Sequence, residues 1–248
     1  MKALLKSILY PVYKQFKNSY LRNQKGQISN ASIKNEDNGF IYIVTGEGYA
    51  KECVFSIRSL KRYNTEKICV FSEEKYKDLF KNECDFFFSV DSKIQRPKVD
   101  YIAQSPFKNT IYLDSDTVIV ENISEMFELL QRFDFCGAFC NSRKRENYAN
   151  SIPKYSDIPY SFSEINTGVM VFNDSIETKK LFENWNNYYY KYIGKSNGWD
   201  QPSFRVALWE SDVKIGYLPP EYNVRPKSVY EKVRANKDIL GKLHMEPR

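Results

Sequence analysis

Short runs of consecutive apolar residues alternate along this chain with segments whose apolar positions recur every third or fourth residue. The first pattern marks strands buried on both faces, the second helices with one buried side. Phe40-Ile41-Tyr42-Ile43-Val44-Thr45 predicts a strand, ended by Gly46-Glu47-Gly48. From Ala50 to Arg62, Cys53, Val54, Ile57 and Leu60 fall on one helical face. Lys67 to Phe71 and Asp85 to Ser89 predict two more strands, and Arg96-Pro97-Lys98 leads into a helix ending near Ser105-Pro106. Ile111 to Val120 reads as two apolar strands broken by Asp114-Ser115-Asp116. Ser124 to Phe133 predicts a helix, with Met126, Phe127, Leu130 and Phe133 apolar, and Phe133 to Phe139 a strand. Gly168 to Asn173 is a buried strand preceded by Asn166-Thr167. Asp174 or Ser175 can cap the next helix, which buries Leu181, Trp185 and Tyr188. Trp199-Asp200-Gln201-Pro202 opens another helix, carrying Phe204, Val206 and Leu208. Residues 216–225 read as a strand end and a turn, and Leu240 to His244 as a closing segment.

Strands alternating with helices in this order predict an α/β class, and its opening is that of a nucleotide-binding fold. Neither G-x-G-x-x-G nor a P-loop pattern is present, so the dinucleotide and NTPase variants are not supported. There is no internal repeat and no second core. Residues 40–248 therefore form one domain, preceded by a polar linker over 26–39 and an arm over 1–25. Residues 141–163 are irregular and polar, a loop long enough to be functional or mobile.

Charge changes the picture at one end only. The 248 residues carry a net charge of +6. Lys2, Lys6, Lys14, Lys17, Arg22 and Lys25 lie in the first 25 residues with no acid among them, and the remaining chain is balanced at 31 basic and 31 acidic residues. A neutral body argues against nucleic acid as a partner. In the arm, Leu4, Ile8, Val12 and Phe16 form an apolar stripe among lysines, which Pro11 would kink. Two readings stand side by side: an anchor at an anionic membrane surface, or a helix packed on the body. No apolar run approaches the roughly 18 residues that cross a bilayer. Lysines crowd the apolar stretch and no small-residue cleavage site follows, so a signal peptide is not expected. Five scattered cysteines without a C-x-x-C pair point to a reducing compartment, the cytoplasm, with peripheral membrane contact through the arm as the further option.

The chemistry centres on Asp114-Ser115-Asp116. Two carboxylates this close repel unless a cation or a proton intervenes. A divalent cation with oxygen ligands, Mn²⁺ or Mg²⁺, is the simplest compensation, and it leaves positions open for phosphate oxygens. Taken alone, a D-x-D step is more often a polar turn. Downstream stand three more polar sites: Asn166-Thr167-Gly168, Asp200-Gln201 and His244, the single histidine of the chain.

Set in order, these segments resemble a known family. Thr45-Gly46-Glu47-Gly48-Tyr49 with Ser59-Leu60, Tyr112 to Thr117, Asn166 to Asn173, Asp200-Gln201-Pro202, Tyr222-Asn223 and Leu243-His244 look like the retaining GT-A glycosyltransferases of the glycogenin and bacterial lipopolysaccharide galactosyltransferase group, family 8-like. The resemblance spans residues 40–244. It implies the GT-A nucleotide-diphospho-sugar transferase fold, a Rossmann-like mixed central sheet flanked by helices. It implies a hexosyltransferase taking a UDP-sugar donor and a glycan, lipid-linked or protein acceptor. Thr45, Gly46 and Tyr49 would hold the nucleotide base, with Tyr49 against the uracil face. Lys98 would sit near the ribose or donor sugar, and Ser115, Thr167 and Gly168 would line the donor. Asp114, Asp116 and His244 would hold Mn²⁺ or Mg²⁺ on the diphosphate. Asn166, Asp200 and Gln201 are the catalytic candidates beside the sugar, with Asp200 the nearest stabilising or nucleophilic carboxylate.

Two departures from the family pattern stand out. Gly46 replaces the usual Asn, and after His244 come Met245-Glu246-Pro247-Arg248 rather than a Gly and a Lys. Arg248 or Lys242 is the candidate substitute for that cation. Two alternatives remain at this level. Asp114 to Val118 also fits the D-x-D-x-[TV] motif of haloacid-dehalogenase-type phosphatases, although it lies mid-chain with no Asp-Asp pair downstream. The other is a non-catalytic sugar-nucleotide or glycan-binding protein on the same fold.

Overall fold

The computed structural model describes residues 37–91, 96–140, 144, 152–193, 196, 198–224 and 245–246. The arm 1–25, most of the linker, His244, Lys242 and Arg248 lie outside the described residues. Seven strands form one sheet: β1 (Asn38–Ile43), β2 (Lys67–Ser72), β3 (Phe86–Ser89), β4 (Asn109–Leu113), β6 (Phe135–Phe139), β7 (Ile165–Asn173) and β8 (Ile215–Leu218). Their spatial order is β3-β2-β1-β4-β7-β6-β8. A second ribbon pairs β5 (Val118–Ile119) with β9 (Met245–Glu246). The α-helices are α1 (Glu47–Leu60), α2 (Lys77–Phe80), α3 (Pro97–Tyr101), α4 (Ile176–Tyr192) and α5 (Gln201–Trp209). The result is the expected mixed α/β sheet flanked by helices.

Every neighbouring pair in the large sheet is parallel except those made by β7, which runs antiparallel to both β4 and β6. This reversal brings the amino end of β7 to the edge where β1, β4, β6 and β8 have their carboxyl ends. Polar residues that open β7 therefore meet those that follow β4.

Both faces of the sheet are covered, which is why its central strands read as unbroken apolar runs. Phe40 and Tyr42 pack with Cys53, Val54 and Ile57 of α1 on one face. Ile41 and Ile43 join Leu181, Trp185 and Phe204 of α4 and α5 on the other. Each fully buried side chain of this size contributes about 1.5–3 kcal/mol. In α4 the buried residues are Thr178, Leu181, Phe182, Trp185 and Tyr189. Tyr189, four residues after Trp185, takes the place expected for Tyr188, which is half-buried and donates its hydroxyl to Glu210 Oε2 at 2.5 Å. Ser175 supplies the cap, accepting from the Thr178 N–H at 3.2 Å.

Other boundaries differ from the sequence reading. The linker ends early: Asn38 and Gly39 already belong to β1, pairing with Asn109 and Thr110. They carry no hydrophobic signal because Gly39 leaves the room that the Phe107 ring fills. β7 begins at Ile165, three residues earlier than expected, and Asn166-Thr167-Gly168 lie where its register with β6 shifts. Ser124–Gln131 winds as a 3₁₀ helix. At eight residues it is too short for intrinsic α-helicity to decide its winding, and packing of Met126 and Phe127 on the sheet does so instead.

The described part of loop 141–163 is anchored. Arg205 of α5, fully buried, donates to the carbonyls of Phe162 (2.9 Å), Tyr155 (3.1 Å), Ile158 (3.3 Å) and Pro159 (2.8 Å). Among the described residues no helix is long and apolar enough to cross a membrane.

The close contact at Gly39 yields a prediction. A Cβ there would lie 2.4–2.5 Å from three Phe107 ring atoms. Gly39→Ala is expected to destabilise the fold by about 1–3 kcal/mol through overpacking, read as a lower midpoint in urea unfolding.

Candidate active site at the carboxyl end of the sheet

β4 delivers Asp114 to the sheet edge, where the chain turns. The turn is closed by the Thr117 N–H and hydroxyl, both donating to the Asp114 carbonyl at 3.3 and 2.9 Å. Thr117 Oγ1 lies 2.8 Å from Ser56 Oγ, which lies 3.0 Å from the Tyr42 hydroxyl. Ser59 Oγ accepts from Ile119 N at 2.9 Å. Helix α1 thus braces the turn from below. Ser115 and Asp116 occupy its centre, half-buried.

The charged centre lies on the side away from α1. Lys98, only 5% exposed, projects from α3. Its ammonium donates to the Thr167 carbonyl (2.9 Å), Thr167 Oγ1 (3.2 Å) and Asp114 Oδ1 (3.1 Å), and lies 3.4 Å from Asp200 Oδ2. Tyr112, also buried, donates its hydroxyl to Asp114 Oδ1 at 2.5 Å. Burial first and the Asp114 charge second push the Tyr112 phenol far above its ordinary value, so it stays a donor.

Asp200 is 2% exposed at the amino end of α5. It makes no side-chain cap hydrogen bond there. Instead Arg96 holds Asp200 Oδ2 through Nε and Nη2, each at 3.0 Å. Burial alone would raise the Asp200 carboxyl; Lys98 and then Arg96 more than offset it and hold it below its ordinary value. The stabilisation this carries is present above the ordinary carboxylate range and is lost as pH falls through the depressed value.

Neighbouring elements fix both partners. Trp185 Nε1 donates to the Asp200 carbonyl at 3.0 Å. Asp100, one turn along α3, binds Asn186 Nδ2 at 3.1 Å and the Tyr190 hydroxyl, locking α3 to α4. Gln201 is buried and donates to the Ile165 carbonyl at 3.3 Å.

β7 completes the floor. The Asp114 N–H donates to the Gly168 carbonyl at 2.8 Å. The Gly168 N–H donates to Asn166 Oδ1, also at 2.8 Å. A Cβ on Gly168 would sit 2.9 Å from Asn166 Oδ1 and 3.0 Å from Asp114 Oδ2. Glycine therefore leaves a small oxygen-lined cradle that any other residue would fill. With Asp114 Oδ1 engaged by Lys98 and Tyr112, Oδ2 is the oxygen facing this cradle. Carboxylate and amide oxygens here suit a hard divalent cation. Among the described residues no group of three His, Cys, Asp or Glu forms a ligand cluster. His244 lies outside them, but Met245 and Glu246 pair with Ile119 and Val118, returning the chain end to the segment just after Asp116.

After β1, Gly46 has φ +90° and ψ 146°, conformational space that glycine alone enters cheaply. This explains its presence where the family pattern has Asn. Its N–H donates to Glu73 Oε2 at 2.6 Å. Burial opposes ionisation of Glu73, but the Gly46 N–H and Lys75 outweigh it and lower its carboxyl below the ordinary value. Thr45 is half-buried beside this turn, and Tyr49 stands 63% exposed on the first turn of α1.

The fold thus unites Lys98, Asp114, Thr167, Asp200, Gln201, Asn166 and Gly168. Thr45, Gly46 and Tyr49 form a separate group after β1. Two participants escaped the sequence reading. Arg96 looked like a helix lead-in, although Arg-Pro-Lys puts two cations around a helix start. Glu73 follows β2 directly, at the same sheet edge as the other site residues.

Comparison with known proteins agrees with this architecture. Among solved structures the chain is similar to the galactosyltransferase LgtC determined with donor and acceptor sugar analogues, at 11% identity and a TM-score of 0.59, covering 83% of this chain and 82% of that one. It is similar to the glycosyltransferase GlyE of Streptococcus pneumoniae TIGR4, at 16% identity and a TM-score of 0.56, over 79% of this chain and 49% of that one. Mouse xyloside xylosyltransferase 1 matches at 16% identity and a TM-score of 0.51, over 75% and 86%. At these identities the likeness establishes the fold. No curated protein sequence matches significantly. The family model for nucleotide-diphospho-sugar transferases matches residues 108–242, more than half of the chain, from just before β4 to beyond β8. With a GT-A-type sheet and a charged site at its carboxyl end, the chain belongs to the nucleotide-diphospho-sugar transferase family.

Proposed function

We propose that this protein is a metal-dependent glycosyltransferase that moves a hexose from a UDP-sugar to a glycan, lipid-linked or protein acceptor, with retention of anomeric configuration. The observation that carries this reading is the buried Asp200 carboxylate, held charged by Arg96 and by a Lys98 shared with Asp114.

Such a site fits cleavage of a sugar–diphosphate bond. Charge develops with opposite sign on the two fragments, so a transferase needs anionic and cationic groups close together and fixed in advance. Asp200 is the anionic group aimed at the sugar carbon, as nucleophile or as stabiliser of positive charge. Lys98 and Arg96 keep it ionised and would stabilise growing negative charge on the departing diphosphate. Asn166 and Gln201 orient the sugar hydroxyls, and Thr45, Gly46 and Tyr49 hold the base. Mn²⁺ or Mg²⁺, held by Asp114, Asp116 and His244, would supply Lewis-acid stabilisation of the leaving group. The GlyE, LgtC and xylosyltransferase names support sugar transfer as the reaction class. The first experiment is hydrolysis of a UDP-sugar panel with Mn²⁺ and with a chelator. Hydrolysis that survives chelation would remove the metal from the proposal. Turnover of p-nitrophenyl phosphate would favour the phosphatase instead.

Asp114→Asn and Asp116→Asn are each expected to lower transfer by about 10²–10³-fold; Asp116→Asn should keep a near wild-type melting temperature, whereas Asp114→Asn takes a carboxylate from the buried Lys98 and should lower it. Near wild-type turnover at saturating donor would sink the metal-site reading.

Asp200→Asn is expected to lower kcat while UDP affinity holds, because the amide keeps the shape and loses the charge the transition state requires; loss of the ion pairs with Arg96 and Lys98 should also lower the melting temperature. An unchanged kcat would confine Asp200 to a structural role.

His244→Ala is expected to raise the Mn²⁺ concentration required for hydrolysis. It should also remove a loss of metal affinity as pH falls through about 6.5, where imidazole takes up a competing proton. Superimposable Mn²⁺ titrations of the two proteins would exclude His244 as a ligand.

A further inference from the structure

Two buried hydroxyls behind the Asp114–Asp116 turn stand where apolar side chains would be cheaper. Tyr42 sits in β1 with Phe40 and Val44 on the same face, and Ser56 sits on the inner side of α1 with Cys53, Ile57 and Leu60. Both are 0% exposed. Phenylalanine at 42 would fill the same space without a hydroxyl to satisfy, and alanine at 56 is the better helix former. Burial pushes the Tyr42 phenol far above its ordinary value, so it stays protonated. The two side chains touch, Tyr42 hydroxyl to Ser56 Oγ at 3.0 Å, and Ser56 Oγ lies 2.8 Å from Thr117 Oγ1, 61 positions along the chain.

The direction of these hydrogen bonds follows from their far end. Each hydroxyl has one proton to give. Thr117 gives its own to the Asp114 carbonyl at 2.9 Å, and a carbonyl can only accept. Ser56 must therefore donate to Thr117, and Tyr42 to Ser56. The donors run one way, from the sheet interior through α1 to the residue that carries the first carboxylate of the turn. A second link runs beside it: Ser59 Oγ accepts from Ile119 N at 2.9 Å and donates to the Ser56 carbonyl at 2.7 Å. At the end of the same seam Asn64 Oδ1 accepts from Ile123 N, also at 2.9 Å. The chain leaving the turn is thus laid along a helix that Cys53, Val54, Ile57 and Leu60 pin to the sheet. Hydrogen bonds fix direction as well as distance, which apolar packing does not.

Resting on the metal-dependent transferase reading above, we infer that Ser56, backed by Tyr42, is a positioning residue for the turn, holding Asp114 and Asp116 ready for a divalent cation. Two carboxylates this near each other in the chain repel. Without a restraint the turn would relax by moving them apart, and binding a cation would have to draw them together again. A turn fixed in advance avoids that reorganisation. Groups that orient ligands without touching the metal change its affinity about 10–100-fold when lost. Ser56 and Tyr42 touch neither cation nor donor in this role; both act through Thr117.

The test uses the full chain with UDP present and reads Mn²⁺ binding from the electron paramagnetic resonance signal of the free ion, with melting temperatures beside it. Ser56→Ala and Thr117→Val are each expected to weaken Mn²⁺ binding about tenfold. Thr117→Ser keeps the hydroxyl and should bind nearly as wild type does. Ser56→Ala also strands the buried Tyr42 donor, so its melting temperature should fall. Tyr42→Phe combined with Ser56→Ala removes both polar groups; its melting temperature should recover in part while Mn²⁺ binding stays about tenfold weak. That split separates positioning from stability. Wild-type affinity in Ser56→Ala and Thr117→Val overturns the proposal. So does affinity that recovers together with the melting temperature in the double variant. Should Ser56→Ala fail to fold, the Thr117 pair decides alone: equal affinity in the valine and serine variants refutes the role. Wild-type protein that binds no Mn²⁺ refutes the metal reading and the positioning role with it, whereas wild-type binding unmoved by the variants refutes the positioning role alone.

Discussion

The Lys98 ammonium is the interaction on which the site depends. Buried at the start of α3, it bridges two carboxylates, Asp114 just after β4 and Asp200 at the start of α5. Neither carboxylate would be tolerable at this depth without a cation, and one partner removed from a buried charge pair costs about 3–5 kcal/mol. Arg96 secures Asp200 a second time from a more exposed position. The three charges thus form a chain, Asp114–Lys98–Asp200, that ties β4, α3 and α5 together. Stability and proposed chemistry use the same groups. The pre-ordered charges that hold the corner closed are also those that would meet a sugar–diphosphate without further reorganisation.

The second constraint is the direction of β7. Had it run parallel to β4, Asn166, Thr167 and Gly168 would sit at the far end of the sheet from Asp114. Running antiparallel, it brings the Thr167 carbonyl and hydroxyl to Lys98, and the Gly168 backbone to Asp114. It also explains why a glycine is needed at position 168, since the two strands close on the cradle around Asp114 Oδ2. Support behind the turn comes from α1, through Ser56 and Ser59. The turn is therefore held from both faces of the sheet.

Periodicity alone was enough to determine the main elements and the α/β class. Buried strands of Phe, Ile and Val and one-sided helices such as Glu47–Leu60 leave a local signature that tertiary contacts do not alter. The order of Asp114/Asp116, Asn166-Thr167-Gly168 and Asp200-Gln201 was legible too, because each stands at the end of an element whose hydrophobic pattern is clear. What tertiary structure alone decided is pairing across long separations. Arg96 and Asp200 are 104 positions apart, and nothing local in Arg96-Pro97-Lys98 says which carboxylate it meets. Arg205 reads as a helix-surface charge, yet it is buried and binds four carbonyls of residues 155–162. The inclusion of Asn166-Thr167-Gly168 in β7 was likewise hidden, since polar residues and a glycine carry no strand signal and their place is set by the Asp114 and Lys98 contacts. Hydrophobic patterning records which side of an element faces inward; the partners of buried charges depend on strand order and direction, which the chain settles only when the sheet closes.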